Sequence, residues 1–226
     1  MPGFDAISDG AGRLRIAAKL ARNVYRKHGL VAMVQLAWHE LSFDILHGTS
    51  TAIDAGKRYE SSNPVLFRRL IARLPDEARS GTFLDCGAGK GRALILAARH
   101  GFRRSLGVEI SPDYCAEAER NIAIYLARQP GCSISVRNED AAGMKIPDDV
   151  SVIYLYNPFG ADMIEAVIDH LQESLRRAPR PVWAVYLAAI HGDMFLRRGF
   201  RSAFKLADVG EIFHWTADGH HPDLIR

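Results

Sequence analysis

From residue 82 onward, short apolar runs alternate with longer stretches of helical period. Strands are predicted over 82–86, 104–110, 132–137, 150–156 and 182–189, and helices over 90–100, 112–128 and 161–177. The run at 150–156 is almost continuously apolar, as a strand covered on both faces is. Ser111-Pro112 caps one helix and Pro130-Gly131 ends it. The pattern then changes: strands over 200–206 and 211–217 are joined by the 207–210 turn alone, so they pair antiparallel. Alternating strands and helices predict an α/β fold with a parallel sheet.

The first 63 residues follow a different pattern. Leu14, Ala17, Ala21, Val24 and Tyr25 recur at helical spacing over 11–28, with Arg13, Arg15, Lys19, Arg22, Arg26 and Lys27 around the rest and Gly29 as a stop. A second, more apolar helix over 30–47 ends at Gly48, which suggests a helical hairpin or cap. Residues 49–63 have no periodicity and predict a polar loop where an active-site lid or a plain connector could lie. Asn63-Pro64 then opens a helix through Leu74 that Pro75 closes. Two parts are expected: a helical cap and lid loop over 1–63, and a ligand-binding domain over 64–226.

Composition excludes some classes. The chain is 226 residues long, enough for one α/β domain with a modest extension. Hydrophobic content of 48% and charged content of 24% are those of a globular protein rather than a disordered one. Residues 1–80 hold 12 Lys and Arg against 8 Asp and Glu, so the net charge of +3 comes from the N-terminal region. An excess that small fits a solvated face better than a nucleic-acid surface, and nucleic acid is the less favoured partner. Cys86, Cys115 and Cys132 form no C-x-x-C pair and have no zinc spacing, which points to reduced thiols and a cytoplasmic location. The N-terminus lacks the pattern of a signal peptide, and no run reaches the length of a membrane span.

The chemistry concentrates at Asp85-Cys86-Gly87-Ala88-Gly89-Lys90-Gly91, where a strand enters a glycine turn and then a helix. Glycine allows positive φ and close approach of a ligand. A nucleotide P-loop needs Ser or Thr after its Lys, and Gly91 stands there. A dinucleotide fingerprint needs a third glycine where Arg92 stands. Asp85 would repel a pyrophosphate and suit a cationic or hydroxyl-rich ligand. Glu109, at the tip of the next strand, can accept from both hydroxyls of a ribose, and Asp140, after the third strand, can accept from an exocyclic amine of adenine.

Together these residues resemble the class I S-adenosylmethionine-dependent methyltransferases, over about residues 59–213. The resemblance implies a Rossmann-like, doubly wound, seven-stranded, mostly parallel sheet with an antiparallel last strand. It also implies S-adenosyl-L-methionine as cofactor: Gly87 to Gly89 against its methionine part, Glu109 on the ribose and Asp140 at adenine. The cofactor-binding set expected is Tyr59, Ser62, Asp85, Cys86, Gly87, Ala88, Gly89, Glu109, Ile110, Asp140, Ala141 and Asn157. More closely, Leu84 to Arg92, Arg58-Tyr59 and Tyr154-Leu155-Tyr156-Asn157-Pro158-Phe159 look like bacterial relatives of protein lysine methyltransferases, including the histone-methylating branch. In that group an upstream loop folds over the cofactor, and Tyr59 and Ser62 would be its counterparts here.

On the acceptor side, Asn157 at the tip of the fourth strand could hold a substrate amine with its lone pair toward the methyl group. Asn157-Pro158-Phe159 is one proline short of the Asn-Pro-Pro-aromatic motif of amino-methylating enzymes, which weakens the case for a flipped adenine or a glutamine amide. His191, after the fifth strand, is a candidate general base. His220, His221 and Asp223 lack a further ligand to complete a metal site, and none is expected. Lys90 and Arg92 are expected in helix packing or a surface charge pair. The function expected is methyl transfer to an amine, foremost a protein lysine. A small-molecule or nucleic-acid acceptor, or a non-catalytic cofactor-binding scaffold, stands as the alternative.

Overall fold

The computed structural model describes residues 43–44, 47–49, 51, 62–156, 160–207 and 209–218. The helix expected over 11–28, most of that over 30–47, Tyr59, Asn157 and the His220–Asp223 stretch lie outside the described residues.

Helix α1 (Pro64–Ile71) starts where the sequence predicts. The Asn63 Oδ1 accepts from the Val65 and Leu66 amides at 2.9 and 3.1 Å, and Pro64 occupies a first-turn position that needs no donor. It ends three residues before Leu74. A 3₁₀ turn at Asp76–Arg79 brings the Arg79 guanidinium back onto the carbonyls of Ile71, Leu74 and Pro75, each at 3.2 Å, which ties the turn to the helix end.

The alternation that follows is β1 (Thr82–Cys86), α2 (Arg92–Arg99), β2 (Arg104–Glu109), α3 (Pro112–Arg128), β3 (Ser133–Asn138), β4 (Val150–Tyr156), α4 (Ala161–Arg177), β5 (Val182–Leu187), α5 (Gly192–Arg197), β6 (Arg201–Leu206) and β7 (Gly210–Trp215). Two boundaries move for a stated reason. Helix α2 begins at Arg92 rather than Lys90 because Gly91 before it takes φ 84°, and β5 stops at Leu187 because Ala188 takes φ 50°. Helix α5 has six residues, too few to show a period.

The seven strands form one sheet in the order β3-β2-β1-β4-β5-β7-β6. Strands β1 to β5 pair in parallel, and β7 lies antiparallel between β5 and β6, the expected reversed last strand. Chain order reverses at β1, which lies between β2 and β4, so the crevice beyond its carboxyl end is the topological switch point where such sheets take ligands. The faces are buried separately: Phe67, Phe83, Phe102, Tyr154 and Trp183 pack on the side of α1 to α3, and Leu84, Leu155, Ile168, Leu171 and Phe195 on the side of α4 and α5. Strand β1 is buried along its whole length, which fixes Asp85 at the floor of the crevice. Among the described residues no helix is long and apolar enough to cross a membrane.

Candidate functional site

The glycine turn leaves β1 and folds back on the tip of β2. Gly87, Gly89 and Gly91 all take positive φ, at 91°, 52° and 84°. The Gly87 and Ala88 amides both donate to the Val108 carbonyl, at 2.9 and 2.8 Å, and the Gly91 amide donates to the Ala88 carbonyl at 2.8 Å. The Gly89 amide donates to the Glu109 Oε2 at 2.8 Å. Four donors that a phosphate would require are therefore already engaged, which agrees with the exclusion of a phosphate loop from the sequence.

This contact is close because β2 carries Gly107. A methyl group there would meet the Ala88 Cβ at 2.6 Å and the Leu94 Cδ1 at 2.8 Å. Glycine within a strand pattern is the signal that could have shown the turn's seat on β2 from the sequence. Gly107→Ala is expected to cost about 1–3 kcal/mol through overpacking, measured as a lower midpoint of thermal or urea unfolding.

Glu109 is buried at the tip of β2, and its second oxygen, Oε1, accepts from the Ser111 amide at 2.9 Å. Each carboxylate oxygen thus holds one backbone amide and retains capacity for another donor. Beyond it, the Asn138 Nδ2 donates to the Glu109 and Ile110 carbonyls at 2.8 and 3.1 Å, tying the tips of β2 and β3 together. The sequence reading passed over Asn138. Ile110 is left 68% exposed beside Glu109, an apolar surface at the mouth of the site. Asp140 follows β3, exposed, with its Oδ1 accepting from the Ala142 amide at 2.9 Å and its other oxygen turned to no described donor; Ala141 is buried.

Asp85 is 3% exposed, and no described residue donates to its carboxyl. Burial, then the charge of Glu109, pushes its pKa up to about 8. Burial and then Asp85 raise the thiol of Cys86 beyond its ordinary range, so Cys86 is an inert core residue. Tyr154, the register partner of Asp85 on β4, is buried and donates its hydroxyl to the Ser62 Oγ at 3.0 Å, which brings Ser62 to the α1 side of the crevice. Burial raises the Tyr154 phenol well above its ordinary value, partly offset by that hydrogen bond.

His191 is half-buried beyond β5, separated from β1 by β4 in the sheet, and its imidazole has no hydrogen-bonding partner among the described residues. Lys90 and Arg92 are not surface groups. The Lys90 ammonium pairs with the Glu117 Oε2 at 3.0 Å, and Arg92 is buried against Asp44, so the expected charge pairs exist but lie inside. The site therefore brings together Ser62, Asp85, the glycine turn, Glu109, Ile110, Asp140 and Ala141 along the carboxyl edge of β1, β2 and β3. His191 stands apart on the β5 side.

Residues 83–181 match the family model described as a methyltransferase domain. No curated protein matches the chain in sequence. Many solved structures share its fold, among them the following three. A candidate RNA methyltransferase from Pyrococcus horikoshii is 14% identical with a TM-score of 0.53, over 78% of this chain and 98% of that one. The human methyltransferase 10 domain containing protein is 13% identical with a TM-score of 0.52, over 80% and 95%. A candidate methyltransferase from Escherichia coli is 13% identical with a TM-score of 0.51, over 75% and 92%. At these identities the likeness is one of fold.

Proposed function

We propose that this chain, whose residues 83–181 match a methyltransferase domain and whose seven-stranded sheet is Rossmann-like, is an S-adenosylmethionine-dependent methyltransferase that binds its cofactor along the carboxyl edge of β1 to β3 and methylates an amine, with a protein lysine as acceptor. The observation that carries the cofactor site is the buried carboxyl of Asp85, to which no described residue donates, beside a glycine turn whose amides are spent. Such a floor suits a ligand that brings positive charge and hydroxyls, and S-adenosylmethionine brings a sulfonium, an ammonium and a ribose. In this reading Asp85 faces the cationic methionine part, with Cys86 and Ala88 shaping the turn, and Gly87 and Gly89 leave room for it. Glu109 accepts from the ribose hydroxyls with the capacity its two backbone amides leave. Ile110 and Ala141 bound the adenine, and Asp140 accepts from its amine. Ser62, held by Tyr154, and Tyr59 belong to the upstream side of the site.

The cofactor supplies an electrophilic methyl group on sulfur. The protein's part is alignment, because a neutral amine needs its lone pair aimed more than it needs a strong base. Asn157, which follows β4 next to β1, is assigned to hold that amine, and His191 beyond β5 to take the proton it sheds. The resemblance of the Tyr154–Phe159 stretch to lysine-methylating enzymes supports the protein acceptor. The Pyrococcus horikoshii neighbour, described as a candidate RNA methyltransferase, keeps RNA as a second reading.

The test is transfer of labelled methyl from S-adenosylmethionine to a cell lysate divided into protein, RNA and metabolites. Label in protein, recovered as N-methyllysine after hydrolysis, is the expected result. Label in RNA would replace lysine as the acceptor, and cofactor binding without label in any fraction would make the chain a scaffold.

A further inference from the structure

Arg92 is the first residue of α2, directly after the glycine turn, and it is 1% exposed. A cation there faces the positive end of its own helix, so helix stability does not explain it. Its Nε donates to the Thr51 Oγ1 at 2.7 Å, its Nη2 lies 3.5 Å from the Asp44 Oδ2, and its guanidinium sits 5.1 Å from the Phe43 ring. Asp44 is itself saturated from the same segment. Its Oδ1 accepts from the Thr49 hydroxyl at 2.8 Å and from the Thr51 hydroxyl at 2.7 Å, and the Thr51 amide lies 3.0 and 3.1 Å from its two oxygens. The Thr51 hydroxyl is thus a relay, accepting from Arg92 and donating to Asp44.

The other side of the turn is clamped to α3. The Lys90 ammonium pairs with Glu117, and the Lys90 carbonyl accepts from the Asn121 Nδ2 at 3.0 Å. Gly91 has no slack, since a methyl group there would meet the Ala118 Cβ at 3.2 Å. The turn is therefore held between α3 on one side and the Asp44–Thr51 segment on the other, with Arg92 as the second clamp. If that segment undocks, the buried guanidinium next to Gly91 loses the carboxylate of Asp44 and the hydroxyl of Thr51, and its rearrangement displaces the turn.

We propose that Arg92 is a positioning residue that couples docking of the Asp44–Thr51 segment to the shape of the glycine turn, and so to cofactor affinity. The inference rests on the cofactor site proposed above. Coupling of this kind is reciprocal: the segment strengthens cofactor binding, and cofactor tightens the segment.

The test measures S-adenosylhomocysteine binding by calorimetry for the full chain, for Asp44→Asn, Arg92→Met and the double variant, beside Ile168→Val, a core change on the opposite face that reports loss of stability alone. Each single variant is expected to raise the Kd about tenfold, the double variant to be no weaker than the worse single one, and Ile168→Val to leave the Kd unchanged. Amide exchange at Thr51, whose N–H donates to Asp44, is expected to slow on adding S-adenosylhomocysteine to the wild type and not to Arg92→Met. Variants that lose thermal stability and keep the wild-type Kd would overturn the inference, as would an Ile168→Val variant that binds as weakly as they do. A wild type that does not bind overturns the cofactor site and this inference with it, whereas a binding wild type with unaffected variants overturns the inference alone.

Discussion

Glu109→Gln is expected to weaken S-adenosylmethionine binding by about 100-fold or more. The carboxylate accepts from the Gly89 amide at 2.8 Å and from the Ser111 amide at 2.9 Å, one on each oxygen. An amide at this position turns one of those oxygens into a donor that faces a backbone donor, so a buried N–H at the turn or at the start of α3 is left unpaired. In the proposed site the ribose also loses one of two charge-assisted hydrogen bonds, each worth roughly 1.5–3 kcal/mol, and about 2.7 kcal/mol corresponds to 100-fold in Kd. Calorimetric titration of the wild type and the variant checks this, and near-equal affinities would remove Glu109 from the site. The unpaired amide also predicts lower thermal stability without ligand, so both quantities are to be measured on the same preparation.

Cofactor affinity is expected to rise with pH, about tenfold per unit, until it levels near pH 8. Asp85 has a folded-state pKa of about 8, raised from 3.8 first by burial and then by Glu109. In the free protein at pH 7 the carboxyl is therefore mostly protonated. A bound cation favours the carboxylate and lowers that pKa, so binding releases a proton, and a reaction that releases a proton is favoured by rising pH. The ligand's own amino group titrates in the same range, near 7.7–8.0 by the usual values. Asp85→Asn, which does not titrate, separates the two: the slope that disappears in the variant belongs to Asp85. Calorimetry at pH 7 in buffers of different ionisation enthalpy counts the proton, and an unchanged slope in Asp85→Asn would sink the assignment.

The same shift acts on the free protein with a definite sign. A carboxyl whose pKa is raised on folding holds more protons in the folded state, so its contribution to stability is present below the unfolded value of 3.8 and is lost as pH rises towards 8. Asp85→Asn is thus expected to resist unfolding better than the wild type at pH 8 without cofactor. A site that gives up stability in its empty form and recovers it with a cation bound is one way a binding floor is prepared.

The opposing demands on Asp85 and Glu109 show how much of the site was legible in one dimension. The glycine turn, Asp85 before it, Glu109 at the next strand end and Asp140 at the third were visible because each is a residue type at the edge of a locally periodic run. The reversed last strand was equally plain, since a turn as short as 207–210 permits no other pairing. What the sequence does not show is that the Gly87, Ala88 and Gly89 amides of the turn are engaged, by the Val108 carbonyl and the Glu109 carboxylate, 20 or more positions away.

What the sequence determined by itself was the order of elements, the type of ligand the turn excludes and the chemistry of the acids around it, because these follow from neighbours along the chain. Only the tertiary structure decided which groups meet. The reach of Tyr154 to Ser62 spans 92 positions and that of Arg92 to Thr51 spans 41, and both depend on how α1 and the upstream segment dock against the sheet. Local periodicity says which face of an element is apolar; it does not say which distant residue lies against it. The same limit hid the buried state of Arg92, whose charge looks like a surface feature until Asp44 is seen beside it.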